Sequence, residues 1–140
     1  MAADGSVPPI TGFHHLSFSV TDRARSTAWY QEVLGFEVHS EVEGDGFLRT
    51  RLRHPGSGIT VTLTQHDTNS GDRFAETRTG LDHLALAVPG MAELRAFERR
   101  FEEHGVDHSE VKPAGNGGGM ITFRDPDNIQ LEVFAPGPEH

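Results

Sequence analysis

His15, His83 and Glu132 are the residues of this chain whose types and settings could hold a metal ion. His15 lies in Phe13-His14-His15-Leu16-Ser17-Phe18-Ser19-Val20, where apolar and polar residues alternate as in a strand. His83 occupies the same place in Leu81-Asp82-His83-Leu84-Ala85-Leu86-Ala87-Val88, 68 residues later. Glu132 sits within Ile129-Gln130-Leu131-Glu132-Val133-Phe134, and a carboxylate in so apolar a strand is costly to bury unless it is paired or bound to a cation. Two imidazoles and one carboxylate leave open positions on a metal, an arrangement suited to non-haem Fe(II) oxygen chemistry and to related Mn or Co sites. There is no cysteine, so any metal must rely on nitrogen and oxygen ligands, which admits iron, manganese, nickel, cobalt, zinc or magnesium. The same three residues also fit a salt-bridged core or a solvent-facing surface.

The elements that must position them repeat. A helix is expected from a cap at Thr21 or Asp22 to Leu34, with Ala28, Trp29, Val33 and Leu34 as its apolar stripe and Gly35 ending it. A second runs from Met91 to His104, with Leu94, Phe97 and Phe101 at helical spacing and Gly105 after it. Trp29 follows His15 by 14 residues, and Phe97 follows His83 by 14, so the halves stay in step. Three strands are expected after each helix, over 36–43, 46–53 and 58–66 and then over 106–111, 119–124 and 129–134. Asp125-Pro126-Asp127-Asn128 is a turn signal. The Gly115–Gly119 stretch is expected to be a mobile loop, since no helix N-terminus follows to make it a phosphate cradle.

The resulting fold class is α+β, with two βαβββ modules forming a curved mixed sheet, a metal site on its concave side and helices on the outer face. One domain covers 1–140, with module one at about 11–66, a linker over 67–80 and module two at about 81–135. A formal charge of −9 argues against nucleic acid as a partner, and no apolar run reaches the roughly 18 residues of a membrane span. Met1 to Pro9 has no basic segment followed by an apolar run, which makes the cytoplasm the expected compartment.

The sequence resembles the vicinal oxygen chelate superfamily, which includes glyoxalase I, extradiol dioxygenases, fosfomycin-resistance thiol transferases, methylmalonyl-CoA epimerase and bleomycin-binding proteins. The matching pieces are the run from His15 to Asp22, then Arg25-Ser26, Trp29-Tyr30 and Val33-Leu34-Gly35-Phe36. They continue with His83 to Val88 and Asp125 to Glu132, so the resemblance spans about residues 11 to 135. It implies paired βαβββ modules, a divalent metal held by His15, His83 and Glu132, a small-molecule substrate and a homodimer.

The fourth family position separates the activities. It falls on Thr62, 70 residues before Glu132. Glyoxalase I carries a carboxylate there and the epimerase a glutamine, whereas threonine is a poor ligand and no base near neutral pH. Extradiol dioxygenases and fosfomycin transferases use two histidines and one glutamate, as this chain does. Both usually carry a tyrosine where this sequence has Thr122. His66 could act as the acid–base histidine of an extradiol enzyme, and Lys112 falls near a phosphonate-binding lysine. Arg49 and Arg51 share a strand face that could greet an anionic substrate, although a solvated face explains them too. The expected function is therefore an Fe(II)-dependent dioxygenase acting on a small catechol- or enediol-like substrate, with Thr62, Arg49, Lys112 and Thr122 around it. Alternatives are a lyase, isomerase or transferase using Mn, Co, Ni or Zn as Lewis acid, and a binding protein of the bleomycin-resistance type. The remaining histidines, His39, His54, His104, His108 and His140, are assigned no role.

Overall fold

The computed structural model describes residues 5–138. Module one runs β1 (Leu16–Ser19), α1 (Arg23–Leu34), β2 (Glu37–Gly44), β3 (Phe47–Arg53) and β4 (Thr60–His66). Module two runs β5 (Leu84–Ala87), α2 (Met91–Glu103), β6 (Lys112–Pro113), β7 (Gly119–Arg124) and β8 (Gln130–Ala135). Each makes a four-stranded sheet, in the orders β1-β4-β3-β2 and β5-β8-β7-β6. The first strand of each module runs parallel to the last, and the other pairings are antiparallel. No helix among the described residues is long and apolar enough to cross a membrane.

Local chemistry fixes the helix ends. Asp22 Oδ1 accepts the Arg25 amide at 3.1 Å, filling one of the orphan donors of the first turn of α1. At the other end Gly35 takes φ 77°, a left-handed conformation that costs a side-chain-bearing residue more than glycine. The buried stripe of α1 is Ser26, Thr27, Tyr30, Val33 and Leu34. Ala28, expected in it, is exposed, and Trp29 is only half-buried. Trp29 turns away from its own sheet to stack on Phe123 of β7, with ring centroids 6.2 Å apart.

Alternation along the strands separates two faces. Phe18, Leu52, Val61 and Leu63 are buried on the face that α1 covers, and Ile121, Phe123, Leu131 and Val133 on the face that α2 covers. One apolar core joins the two modules. Burying each of these large side chains stabilises the fold by roughly 1.5–3 kcal/mol relative to leaving it in water. Phe101 of α2, fully buried, stacks on Phe123 at 4.3 Å.

Polar ties complete the junction between modules. Arg100 of α2 donates from Nε to the Val33 carbonyl at 2.9 Å and from Nη2 to the Glu32 carbonyl. These are the carbonyls left unpaired at the C-terminal end of α1, where a cation is favoured. The 125–128 turn also reaches module one, since Asp127 accepts the amide and hydroxyl of Thr21.

Two expected elements differ. The strand predicted over 106–111 is reduced to a bridge between His108 and Phe123, with β6 further on at Lys112–Pro113. Ser109 Oγ takes the Thr122 amide that a strand carbonyl would otherwise accept, which breaks the ladder. The Gly115–Gly119 stretch forms a closed turn in which Gly118 donates to the Gly115 carbonyl at 2.8 Å. A Cβ on Gly118 would come within 2.4 Å of the Ala135 carbonyl, so glycine is what lets the turn seat against the end of β8.

Candidate metal centre

Glu132 lies near the middle of β8 between buried Leu131 and Val133, and alternation turns it onto the face away from α2. In register its neighbours are Ala85 of β5 and Thr122 of β7, and neither makes a hydrogen bond with its carboxylate. The side chain is 12% exposed. Its ionisable neighbour among the described residues is His83, whose Nε2 stands 3.9 Å from Glu132 Oε2.

That distance is too long for a hydrogen bond. A cation bonded to imidazole nitrogen and carboxylate oxygen at about 2.0–2.2 Å would draw the two slightly closer, to roughly 3.0–3.5 Å. The other ring nitrogen of His83 is already used, because Nδ1 lies 2.7 Å from Asp82 Oδ1. Asp82 Oδ1 also accepts from Gln130 Nε2 at 3.3 Å, and the Asp82 carbonyl accepts from the same amide at 3.0 Å. With Nδ1 turned to the Asp82 carboxylate, Nε2 is the ring nitrogen that faces Glu132 and is placed to bind a cation. A divalent cation fits this pair, and the chemistry of the donors explains why a carboxylate tolerates so apolar a strand.

His15 is not part of that pair within one chain. It stands just before β1, exposed, with Nδ1 2.8 Å from His14 Nδ1. Among the described residues no three His, Asp or Glu side chains gather as a cage for a metal ion. The two sheets share no ladder, so β1 and β5 are both open edges. Between them lies a cleft of about 430 Å³ lined by Phe13, His15, Leu16, Ile59, Leu84 and Leu86 among others.

The remaining candidates divide between the modules. On the face of module one away from α1, Ser17, Thr62, Arg51 and Ser40 form one cross-strand row. Thr62 is 2% exposed and its hydroxyl has no hydrogen-bond partner among the described residues. Arg49 is engaged: its Nε donates to Thr64 Oγ1 at 2.9 Å, and its guanidinium lies 4.5 Å from the centre of the Phe47 ring. His66 ends β4, exposed, with no side-chain hydrogen bond among the described residues and its ring 6.3 Å from that of Phe47. On module two, Thr122 is half-buried beside Glu132, and Lys112 is exposed on β6 opposite Met120.

Asp82 was missed in the sequence, although a carboxylate immediately before a candidate ligand histidine was the available signal. Asp125 and Asp127, expected only to make a turn, also hold the modules together. The histidine at 140 lies outside the described residues.

The sequence profile of the Glyoxalase/Bleomycin resistance protein/Dioxygenase superfamily matches residues 12–133. The chain belongs to this superfamily. It is 28% identical over 137 residues to "Putative ring-cleaving dioxygenase MhqA" of Bacillus subtilis (strain 168), a match covering 90% of this chain and 40% of that protein. The chain therefore spans well under half the length of that relative. Among solved structures it resembles a glyoxylase/bleomycin resistance protein/dioxygenase domain from Frankia sp. EAN1pec, with TM-score 0.87 and 33% identity over 94% of this chain and 96% of that one. It also resembles a mutant of the fosfomycin resistance protein FosX from Listeria monocytogenes complexed with Mn(II) and 1S,2S-dihydroxypropylphosphonic acid. That match has TM-score 0.72 and 21% identity over 94% of this chain and 96% of that one, and bears on the fold alone. These likenesses bear out the superfamily and the α+β architecture expected from the sequence.

Proposed function

We propose that the chain is a metal-dependent enzyme engaging a small substrate through two neighbouring oxygens, with Fe(II)-dependent ring cleavage by O₂ as its reaction. The observation that carries this reading is the His83–Glu132 pair, an imidazole nitrogen and a carboxylate oxygen 3.9 Å apart, with Asp82 holding the other ring nitrogen of the histidine. In this reading His15 of a second copy completes the ligand set, because β1 and β5 are open edges and the chain alone leaves His15 apart. Val7, Ile10 and Phe13, exposed on the segment before β1, support a homodimer that covers them.

The chemistry that a divalent ion supplies there is to acidify a substrate hydroxyl and, as Fe(II), to bring substrate and O₂ together with electrons available. The chain's own residues do the rest. His83 and Glu132 fix the ion against module two, and Gln130 steadies Asp82 behind His83. In this reading Thr62 and Arg49 from module one and Thr122 and Lys112 from module two serve the substrate. His66, exposed at the end of β4, takes the acid–base role. Thr62 has no carboxyl to move a proton, which disfavours proton-shuttling isomerisation and supports oxygenation. The 28% identity to MhqA supports the same choice.

The test is oxygen uptake by anaerobically purified, Fe(II)-loaded protein with a panel of catechols and enediols, beside His83→Ala. Substrate-dependent uptake that is lost in the variant is expected. Stoichiometric Mn, Co, Ni or Zn with no uptake on any substrate would move the assignment to Lewis-acid lyase, isomerase or transferase chemistry.

A further inference from the structure

We propose that the exposed face of β3 in module one is an anion subsite, which binds a carboxylate or similar oxyacid group of the substrate. The proposal deepens the reading above, since it gives that substrate a charged group beyond its chelating oxygens.

Sequence alternation builds the subsite. In Phe47-Leu48-Arg49-Thr50-Arg51-Leu52-Arg53, Thr50 and Leu52 are fully buried, and the three arginines share the opposite face. Arg49 is committed to Thr64 and Phe47. Arg51 and Arg53 make no hydrogen bond or ion pair among the described residues. They lie roughly 7 Å apart along the strand, close enough for both forks to reach one oxyanion.

A cavity of about 340 Å³ lies over them, lined by His14, His15, His39, Arg51, Arg53 and Thr60. Every lining residue is polar, and none is a carboxylate, on a chain whose formal charge is −9. His39 joins this lining through a local irregularity. The ladder between β2 and β3 shifts register between Val38 and Ser40, and such a bulge re-aims the extra side chain.

The nearest acid in register is Glu37, opposite Arg53, and it forms no ion pair with it. The two cross-strand neighbours of Arg51 are Ser40 and Thr62, whose hydroxyl oxygens are buried without a hydrogen-bond partner. Buried hydroxyls left unpaired are uncommon and costly. Two free guanidiniums in an acid-free cavity make a positive site beside His15. A bound oxyanion offers acceptors to both guanidiniums.

The test is calorimetry on the metal-free full chain with catechol, 3,4-dihydroxybenzoate and inorganic phosphate. Removing the metal separates this proposal from the metal reading, which oxygen uptake tests on its own. The wild type is expected to bind 3,4-dihydroxybenzoate roughly tenfold or more tightly than catechol, as charge-assisted hydrogen bonds allow. That preference should disappear in R51Q/R53Q, whose replaced side chains are exposed and unpaired, and persist in R51K/R53K. Equal affinity for the two ligands, or a preference surviving in R51Q/R53Q, would overturn the proposal. Phosphate that competes only weakly supports a substrate carboxylate. Phosphate bound more tightly than 3,4-dihydroxybenzoate would overturn it in favour of a free-anion site.

Discussion

The Tyr30 hydroxyl donates to Asp125 Oδ2 at 2.9 Å, joining the helix of one module to the turn of the other. Both side chains are buried, and Asp125 Oδ1 also accepts the Asp127 and Ile129 amides at 2.9 Å. Burial holds the Tyr30 phenol well above its ordinary range, so it remains a donor. Tyr30→Phe leaves a buried acceptor short of a partner, and is expected to destabilise the protein by about 1–3 kcal/mol. Urea unfolding measures it, and a midpoint equal to that of wild type would contradict the role given to this bond.

The same carboxyl gives stability a pH dependence. Burial pushes Asp125 up from 3.8 to about 6, against the opposing pull of its hydrogen bonds from Ile129, Tyr30 and Asp127. A carboxyl raised in the folded state binds its proton more tightly there than in the unfolded chain. Its contribution is therefore complete below about 3.8 and lost as pH rises through about 6. Asp125→Asn carries no such dependence. The stability of this variant relative to wild type should rise by up to about 3 kcal/mol between pH 4 and pH 7. Parallel urea series across that range measure it; a constant difference would refute the assignment.

Much of this was legible in the sequence because it is written in periodicity. The repeated histidine strands, the two helices and the Asp-Pro turn all appear close to where alternation and caps place them. The lost 106–111 strand was not legible, since Ser109 breaks it through a hydrogen bond to a strand elsewhere in the chain. The bulge that brings His39 beside Arg51 and Arg53 depends likewise on pairing between strands. For the site, the spacing of His15, His83 and Glu132 suggested one ligand set. It could not say whether β1 meets β5 within one chain or between two. Asp82 stayed hidden because its role appears only when the orientation of the His83 ring is known.

Asp82 should act on the metal through His83. Asp82→Ala removes the acceptor that fixes the Nδ1 proton, and metal affinity is expected to fall by roughly 10–100-fold. Asp82→Asn keeps an amide oxygen for that proton and should retain most of the affinity. Competition against a chelator of known strength gives both values. Wild-type affinity in Asp82→Ala would remove Asp82 from the account.

The shared metal site is tested most directly by metal content in His15→Ala, in His83→Ala, and in the two variants co-expressed and purified together. Wild type should hold about one divalent ion per chain, and each variant alone close to none. In a mixed dimer, one site regains both His15 and His83 from intact halves, so random pairing should restore about a quarter of the wild-type content. A co-expressed sample no richer in metal than either variant alone would contradict a site built across two copies. Wild-type protein without metal, and with no rise in melting temperature on adding any, would contradict the metal centre itself.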